Sequence, residues 1–332
     1  MARGFTLALC CIGNAIAFLP RTHLSAPTSL RSADADDYPS DATEPVEAAL
    51  IDAAEAAPPM SPDALKVALF GLGAATSRGE SATADEKDEL KTLATMLEGH
   101  RDDAAGAPTA RAKGTWELCA STTQLFRSSP FFMAGRAVCA EGEEAKRYNW
   151  FCDMHRAALA ISTIDRVRQV VSDDKVTSEF EVDVGAVPFL SDYTPFSYSG
   201  GLPVTIRGAI VSTADITRTD ATEHELFMDT VRIKGSNIPG LRALLDGPVA
   251  LDSRALSSTL EGIDALNYAP PKPVFRTTFC DDTIRVSRDQ DDNVFVYRKV
   301  SSSTEPRAFD DAPSDLNVGS LVAGFVDSFS WI

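Results

Sequence analysis

Two adjacent carboxylates, Asp281 and Asp282, stand just before Arg285 and are the side chains of this chain best suited to acid/base chemistry. Paired carboxylates divide the roles of general acid and general base when their environments push their pKa values apart. Neighbouring residues on a strand point to opposite faces, however, so Asp281 and Asp282 should not share one proton. The pair therefore predicts no catalytic site by itself.

The remaining reactive side chains form no recognisable catalytic or metal-binding motif. Beyond the N-terminal segment, the scattered histidines and cysteines are His100, His155, His224, Cys119, Cys139, Cys152 and Cys280. The sequence contains no Gly-x-Ser-x-Gly elbow, no His-Glu-x-x-His motif and no phosphate loop. We therefore predict no enzyme, no metal and no cofactor. The cysteines are predicted to be buried thiols, although regulatory disulfides remain open because sequence gives no distances.

The segment around these carboxylates predicts a β-hairpin. Two runs rich in β-formers, Ile284 to Arg288 and Val294 to Val300, flank the turn-favouring residues Asp289 to Asn293. Arg285 and Arg288 could pair with carboxylates across the strand ends. The alternative is a solvated, charged rim, since exposed ion pairs contribute little.

Composition excludes several classes of protein. The 332 residues carry a formal charge of −17, which argues against binding nucleic acid and against anionic membrane surfaces. Hydrophobic residues make up 44% of the chain, enough for a normal core and too many for a disordered chain.

The N-terminal third of the chain is predicted to consist of a targeting sequence, a linker and a helical hairpin. Residues 1–17 have the apolar run and small residues of a signal peptide, and residues 18–33 have the basic, hydroxylated composition of a transit segment. The acidic, proline-containing residues 34–60 predict a disordered linker. Residues 61–99 predict a helical hairpin, because Ser-Pro and a Thr-x-x-Glu capping box each open a run with leucines at helical spacing. Simple secretion is the alternative reading of the leader.

In residues 111–300, apolar and polar residues mostly alternate with a period of two, which is the pattern of β-strands. Lys175 to Val184 alternates apolar and polar side chains, and Ser172 to Asp174 joins it to the preceding strand. About eight candidate strands follow one another, close to the number at which a closed sheet holds one small ligand. The prediction is a mainly β protein: a lipocalin-like antiparallel β-barrel preceded by a small helical hairpin, with residues 301–332 as a C-terminal tail.

Both ends of this region resemble one family. Gly114-Thr-Trp116-Glu-Leu resembles the Gly-x-Trp-x-Leu opening strand that plastid lipid-associated proteins, or fibrillins, share with lipocalins. Phe279 to Tyr297 resembles the family's closing signature, with Asp281, Asp282, Arg285 and Arg288 as its charged residues. The connector Ser77-Arg-Gly79 resembles the family's helical element, and the leader resembles that of algae with a secondary plastid.

The resemblance implies a plastid protein at plastoglobules or thylakoids that binds or organises carotenoids, quinones and other lipophilic molecules, without established chemistry. An inward apolar row would line the ligand cavity. The candidate lining residues are Trp116, Leu118, Phe126, Phe180, Val182, Ile206, Phe227, Phe279 and Phe295. The alternative is a filled barrel whose inward residues pack on one another.

Two apolar segments could contact a membrane or a protein partner. They are Phe126 to Met133 and Leu321 to Ile332, and both are far shorter than the about 20 residues of a transmembrane helix. Two alternative functions therefore stay open: a structural or assembly subunit of a photosynthetic membrane complex, and a lipid-modifying barrel enzyme.

Overall fold

The computed structural model describes residues 60–139, 141–158, 162–185, 205–238, 242, 250–261, 270–312 and 314–315. The predicted signal, transit and linker segments lie outside the described residues, except for residue 60 of the linker. Most of the predicted tail, including Leu321 to Ile332, also lies outside them.

Eight antiparallel strands close into a barrel, which confirms the predicted fold. The order around the barrel is β4-β3-β2-β1-β9-β8-β7-β5, and pairing of β4 with β5 completes the circle. The short strand β6 adds to β5 outside the closed ring. The strands are β1 Gly114–Ser121, β2 Ser162–Val171, β3 Lys175–Gly185, β4 Thr205–Thr219, β5 Glu223–Lys234, β6 Ala250–Asp252, β7 Val274–Cys280, β8 Ile284–Arg288 and β9 Val294–Ser301.

The hairpin of β2 and β3 shows how local sequence sets this architecture. Ser172 accepts backbone N–H bonds from Asp174 and Lys175 with its side chain, which holds the tight turn. From there β3 pairs with β4 without interruption from Lys175 to Gly185. The period-two pattern of β3 therefore places Phe180 and Val182 on the barrel's inner face.

Two helices form the predicted hairpin before the barrel. They are α1 Pro62–Ala75 and α2 Ala84–Glu98, joined by a 3₁₀ turn at Ser77–Gly79. The capping box is present: the Thr83 hydroxyl accepts from the backbone N–H of Glu86, and the Glu86 carboxylate accepts from the backbone N–H of Thr83. Both helices bury leucine side chains: Leu65, Leu69, Leu90, Leu93 and Leu97.

This hairpin packs against the outer face of the barrel. A side chain on Gly73 would lie 2.3 Å from the backbone oxygen of Cys119 in β1, so the backbone of α1 lies directly on that strand. Helix α2 contacts β7 and β9. Where the hairpin packs, the strands of the barrel are therefore buried on both faces. Their lumen-facing residues alternate with outward-facing apolar residues that the helices cover.

Further α-helices lie outside this hairpin. They are α3 Pro108–Arg111, α4 Pro130–Val138, α5 Gly142–Ala158 and α6 Ser253–Glu261. Within the described residues, no helix combines the length and apolar character needed to cross a membrane.

Candidate functional site in the barrel lumen

The lumen collects most of the residues predicted to line it. Trp116, Leu118, Phe126, Phe180 and Phe295 belong to one buried apolar cluster, and Val182 packs against it. Ile206 lies two residues before Gly208, which pairs with Val182, so alternation places it on the inner face at the start of β4, where it is half-buried. These seven side chains come from β1, β3, β4, β9 and the turn after β1.

Phe227 and Phe279 lie elsewhere, and each prediction was wrong because of a β-bulge. Leu226 belongs to the buried lumen cluster, so its neighbour Phe227 faces outward, where the guanidinium of Arg254 lies 5.2 Å from its ring. A register shift near Met228 returns the later apolar residues of β5 to the lumen. In β7 a similar register shift lies between Thr277 and Phe279, so Phe279 faces outward instead of into the lumen.

Phe279 belongs to the layer between the barrel and the helical hairpin. It pairs with Val286, which pairs with Val296, which pairs with Ala120. All four are buried, yet none belongs to the lumen cluster. Since paired residues share a face, this row is the outer surface that the helical hairpin covers.

One end of the lumen is closed by Trp116. Its indole N–H donates to the backbone oxygen of Ala112 at 2.7 Å, which ties the ring to the residue after α3. The ring is fully buried, and the Lys299 ammonium lies 5.1 Å from its centroid. A large ring with its polar atom satisfied at the barrel end is the arrangement expected of a plug.

The other end is covered by α4 and α5. Helix α4 contacts β3, β4 and β5, and it carries Phe132 within 4.5 Å of Phe126, measured between ring centroids. His155 of α5 lies 4.7 Å from Phe126. Burial among these rings lowers the pKa of His155 to about 4. The segment Phe126 to Met133, predicted as an exposed contact surface, is instead buried against the barrel: Phe126, Phe132 and Met133 are at most 7% exposed.

An ion-pair network fastens this cover to the β8–β9 turn. Asp291 accepts from Arg127 at 2.7 Å and from Arg136 at 2.6 Å. Burial opposes ionisation of Asp291, but the hydrogen bonds and charges of Arg136 and Arg127 lower its pKa. Asp289 shapes the turn by accepting from the backbone N–H groups of Asp291 and Asn293, both at 2.9 Å. The acidic turn is thus a docking point for the helices that cover the lumen.

Arg285 lies inside the barrel with no exposed surface. The interpretation of this segment as a solvated, charged rim did not predict this position. Its guanidinium carbon lies 4.2 Å from the centroid of Tyr297, 5.2 Å from Trp116 and 5.4 Å from Phe275. Nη2 donates to the Gln169 side-chain oxygen at 2.5 Å, whereas Nε and Nη1 have no acceptor. The alternation of Val294 and Val296 with Phe295 and Tyr297 was the available signal. The aromatic pair marks the lumen face, and Arg285 pairs with Tyr297.

Several polar groups close to Arg285 also lack partners. The hydroxyls of Thr277 and Ser287, which pair across β7 and β8, are buried without a hydrogen bond. His224 is hydrogen-bonded to Thr219 through Nδ1, and its Nε2 is buried without a partner. Burial and the charge of Arg285 lower the pKa of His224 to about 4, and burial raises the pKa of Tyr297 to about 12. This polar patch consists of Arg285, Gln169, Thr277, Ser287 and His224, and the buried, unpartnered hydroxyls of Ser178 and Ser212 extend it from Gln169 across β3 and β4.

The other charged residues of the terminal signature have structural contacts. Arg288 faces outward and donates to both carboxylate oxygens of Glu98, at 2.9 and 3.1 Å, which fastens α2 to the barrel. It also pairs with Asp292 at 2.8 Å, so the prediction that both arginines pair with carboxylates across the strand ends holds for Arg288 and not for Arg285. All four described cysteines are free thiols. Among the described residues, no group of His, Cys, Asp and Glu side chains could hold a metal ion.

Asp281 and Asp282 occupy the turn between β7 and β8 in different environments. Asp281 accepts from the backbone N–H groups of Thr283 and Ile284 at 2.7 and 2.9 Å and pairs with Lys66 at 2.6 Å. Burial opposes its ionisation, but these hydrogen bonds lower its pKa. Asp282 has a side chain that is 93% exposed. The two carboxylates are therefore not arranged as a catalytic pair.

The two aspartates should differ sharply when replaced. We expect Asp281→Ala to lower the free energy of unfolding by about 2 kcal/mol, because it removes charge-assisted bonds that hold the turn and α1. Asp282→Ala is the matched control next to it and should change stability by less than about 0.5 kcal/mol. Urea unfolding followed by circular dichroism measures both. Equal effects of the two substitutions would contradict this assignment.

Comparison with protein-family models, with curated proteins and with solved structures found no match. The site is therefore interpreted from its own geometry.

Proposed function

We propose that this protein is a non-enzymatic binding protein that holds one lipophilic molecule in the lumen of its barrel. The observation that carries the proposal is the closed ring of eight strands whose inner faces merge in one aromatic-rich apolar cluster. Barrels of this size are just wide enough for side chains or one small ligand. Trp116 plugs one end, and separate helices cover the other.

The sequence resemblance narrows this proposal to a fibrillin-type role. Carotenoids, quinones and other lipids are the proposed ligands, and peripheral association with plastoglobules or thylakoids is the proposed setting. Import into a secondary plastid through residues 1–33 is part of the same proposal. The formal charge of −17 argues against nucleic acid as a partner.

Ligand extraction and titration test the proposal. The full-length protein is purified, its lipids are extracted and identified by mass spectrometry, and the emptied protein is titrated with a plastoquinone analogue while tryptophan fluorescence is recorded. We expect about one ligand per protein. Val182→Trp should weaken binding at least about tenfold, because it places a large ring in the lumen opposite Gly208.

Asp183→Trp is the matched control, because the adjacent side chain faces outward, where Asp183 pairs with Arg207. Its affinity for the quinone should equal that of the unmodified protein. Circular dichroism confirms that both variants fold. A protein that yields no lipid and binds none on titration would refute the proposal, as would quinone binding that Val182→Trp leaves unchanged.

A second candidate, a subunit of a photosynthetic membrane complex, is favoured by one surface feature. Trp150 and Met154 on α5 are 63% and 50% exposed and lie one helical turn apart. Exposed large apolar side chains on one helix face can form a protein contact. This candidate does not exclude a ligand in the lumen.

A further inference from the structure

We propose that the ligand is an acidic amphiphile whose carboxylate binds Arg285, with its apolar body in the aromatic part of the lumen. This inference rests on the proposed function and specifies the chemistry of the ligand. The resemblance alone points to neutral pigments and quinones, whereas the charged group in the lumen points to an anion.

The first argument is the cost of the buried guanidinium. Arg285 has no exposed surface and forms no ion pair with the described residues, and Nε and Nη1 have no acceptor. A buried cation is strongly unfavourable unless it is paired and hydrogen-bonded. The one bond to Gln169 leaves most of the N–H groups of the guanidinium unused.

The surrounding rings compensate for only part of this cost. Tyr297, Trp116 and Phe275 place their π-faces toward the guanidinium at 4.2 to 5.4 Å, within the range of cation–π interactions. Such contacts stabilise a cation but accept no N–H bonds from it. An anion that accepts from the free N–H groups would satisfy both the charge and the hydrogen bonds.

The second argument is the chemistry of the neighbouring polar groups. The hydroxyls of Thr277 and Ser287 are wholly buried, pair across adjacent strands and have no partners. Hydroxyls can donate to an anion, so together with the guanidinium they form a set of donors on β7 and β8. His224 Nε2, buried beside them on β5, is also without a partner.

The third argument is the balance of charge and polarity. Arg285 contributes one positive charge to its enclosed patch, and one carboxylate neutralises it, whereas a phosphate monoester would leave excess negative charge. The rest of the lumen cluster is apolar and aromatic, including Phe180, Leu226 and Phe295. A molecule with one carboxylate and a long apolar body matches both parts, and a fatty acid is the simplest example.

A comparison of an acid with its ester tests the inference. The emptied full-length protein is titrated with oleate, methyl oleate and oleyl phosphate, with isothermal titration calorimetry as the readout. We expect oleate to bind about thirtyfold more tightly than methyl oleate, the gain typical of a charge-assisted hydrogen bond. Equal affinities for acid and ester would overturn the inference, and tighter binding of oleyl phosphate would overturn the assignment to a carboxylate.

Substitution of Arg285 separates ligand binding from a purely structural role. Arg285→Met should reduce the affinity for oleate about thirtyfold, to the level of the ester, and leave the affinity for methyl oleate unchanged. Because it replaces an unpaired buried cation with an apolar side chain of similar length, the empty variant should be at least as stable as the unmodified protein. Arg276→Met, on the outer face of β7, is the control and should bind oleate normally.

A structural role for Arg285 predicts the opposite results: marked destabilisation of the empty Arg285→Met variant and unchanged oleate binding. Either result would overturn the inference. If that variant does not fold, the acid and ester comparison on the unmodified protein still decides. Quinone binding without a preference for the acid would refute this inference alone, whereas failure of all lipophiles to bind would also refute the proposed function.

Discussion

Replacing Trp116 with alanine should lower the free energy of unfolding by about 4 kcal/mol, the largest single effect that we expect. The indole is fully buried, belongs to the lumen cluster and donates to the backbone oxygen of Ala112. Its removal opens a cavity at the barrel end and leaves that oxygen without its indole donor. It also removes one of the three rings that face the guanidinium of Arg285.

Trp150→Ala is the matched control for this experiment. Trp150 is 63% exposed on α5, so its truncation should change the free energy of unfolding by less than about 0.5 kcal/mol. Guanidinium chloride unfolding followed by far-ultraviolet circular dichroism measures both variants without relying on the fluorescence that the substitutions alter. A loss below about 1 kcal/mol for Trp116→Ala would show that the ring is not the plug of this barrel.

Local sequence was sufficient for several elements of this fold, although not for α4. The capping box at Thr83, the leucine spacing in α2 and the alternation of β3 each reflect a short-range rule that the structure follows. The opening tryptophan was also placed correctly, because a large ring followed by alternating residues has few other positions in a closed barrel.

It was harder to predict which side chains of a strand face the lumen than to predict that the strand exists. Phe227 and Phe279 were assigned to the lumen because they continue an apolar alternation, but a bulge in each strand shifts the register. A bulge depends on pairing with a neighbouring strand, which a single segment does not encode. The helical hairpin adds a second difficulty, since it buries an outer row that includes Val286 and makes both faces of the wall apolar.

Arg285 shows the same problem in a charged residue. In Ile284-Arg-Val-Ser, the aliphatic residues suggest the core face and the polar residues suggest solvent. The structure reverses this pattern, because Ile284 and Val286 alternate with lumen-facing Arg285 and Ser287 and belong to the outer face that the hairpin covers. Burying a row of polar side chains in the lumen destabilises the folded protein. That cost is the reason to expect that the row has a ligand-related role.

Acidification below about pH 6.5 should destabilise this protein through two of its histidines. In the folded chain the pKa of His224 and that of His155 are lowered to about 4, from an ordinary value of 6.5. Between about pH 6.5 and pH 4 the unfolded chain therefore binds protons that the folded chain does not, and the free energy of unfolding falls as pH falls. For His224, which is 5% exposed, the full loss is about 3 kcal/mol.

The contribution of His224 can be isolated by comparing pH profiles of the free energy of unfolding. Burial raises the pKa values of Glu179 and Asp289, so these carboxyls favour the folded state as pH falls and oppose the effect of the histidines. The difference between the unmodified protein and His224→Gln cancels their contribution, because both proteins contain them. We expect that difference to shift by about 3 kcal/mol in favour of the variant between about pH 7 and pH 4, while the exposed control His100→Gln follows the unmodified profile. Parallel profiles for His224→Gln and the unmodified protein would mean that the imidazole is not held neutral beside Arg285, and that solvent reaches this part of the lumen.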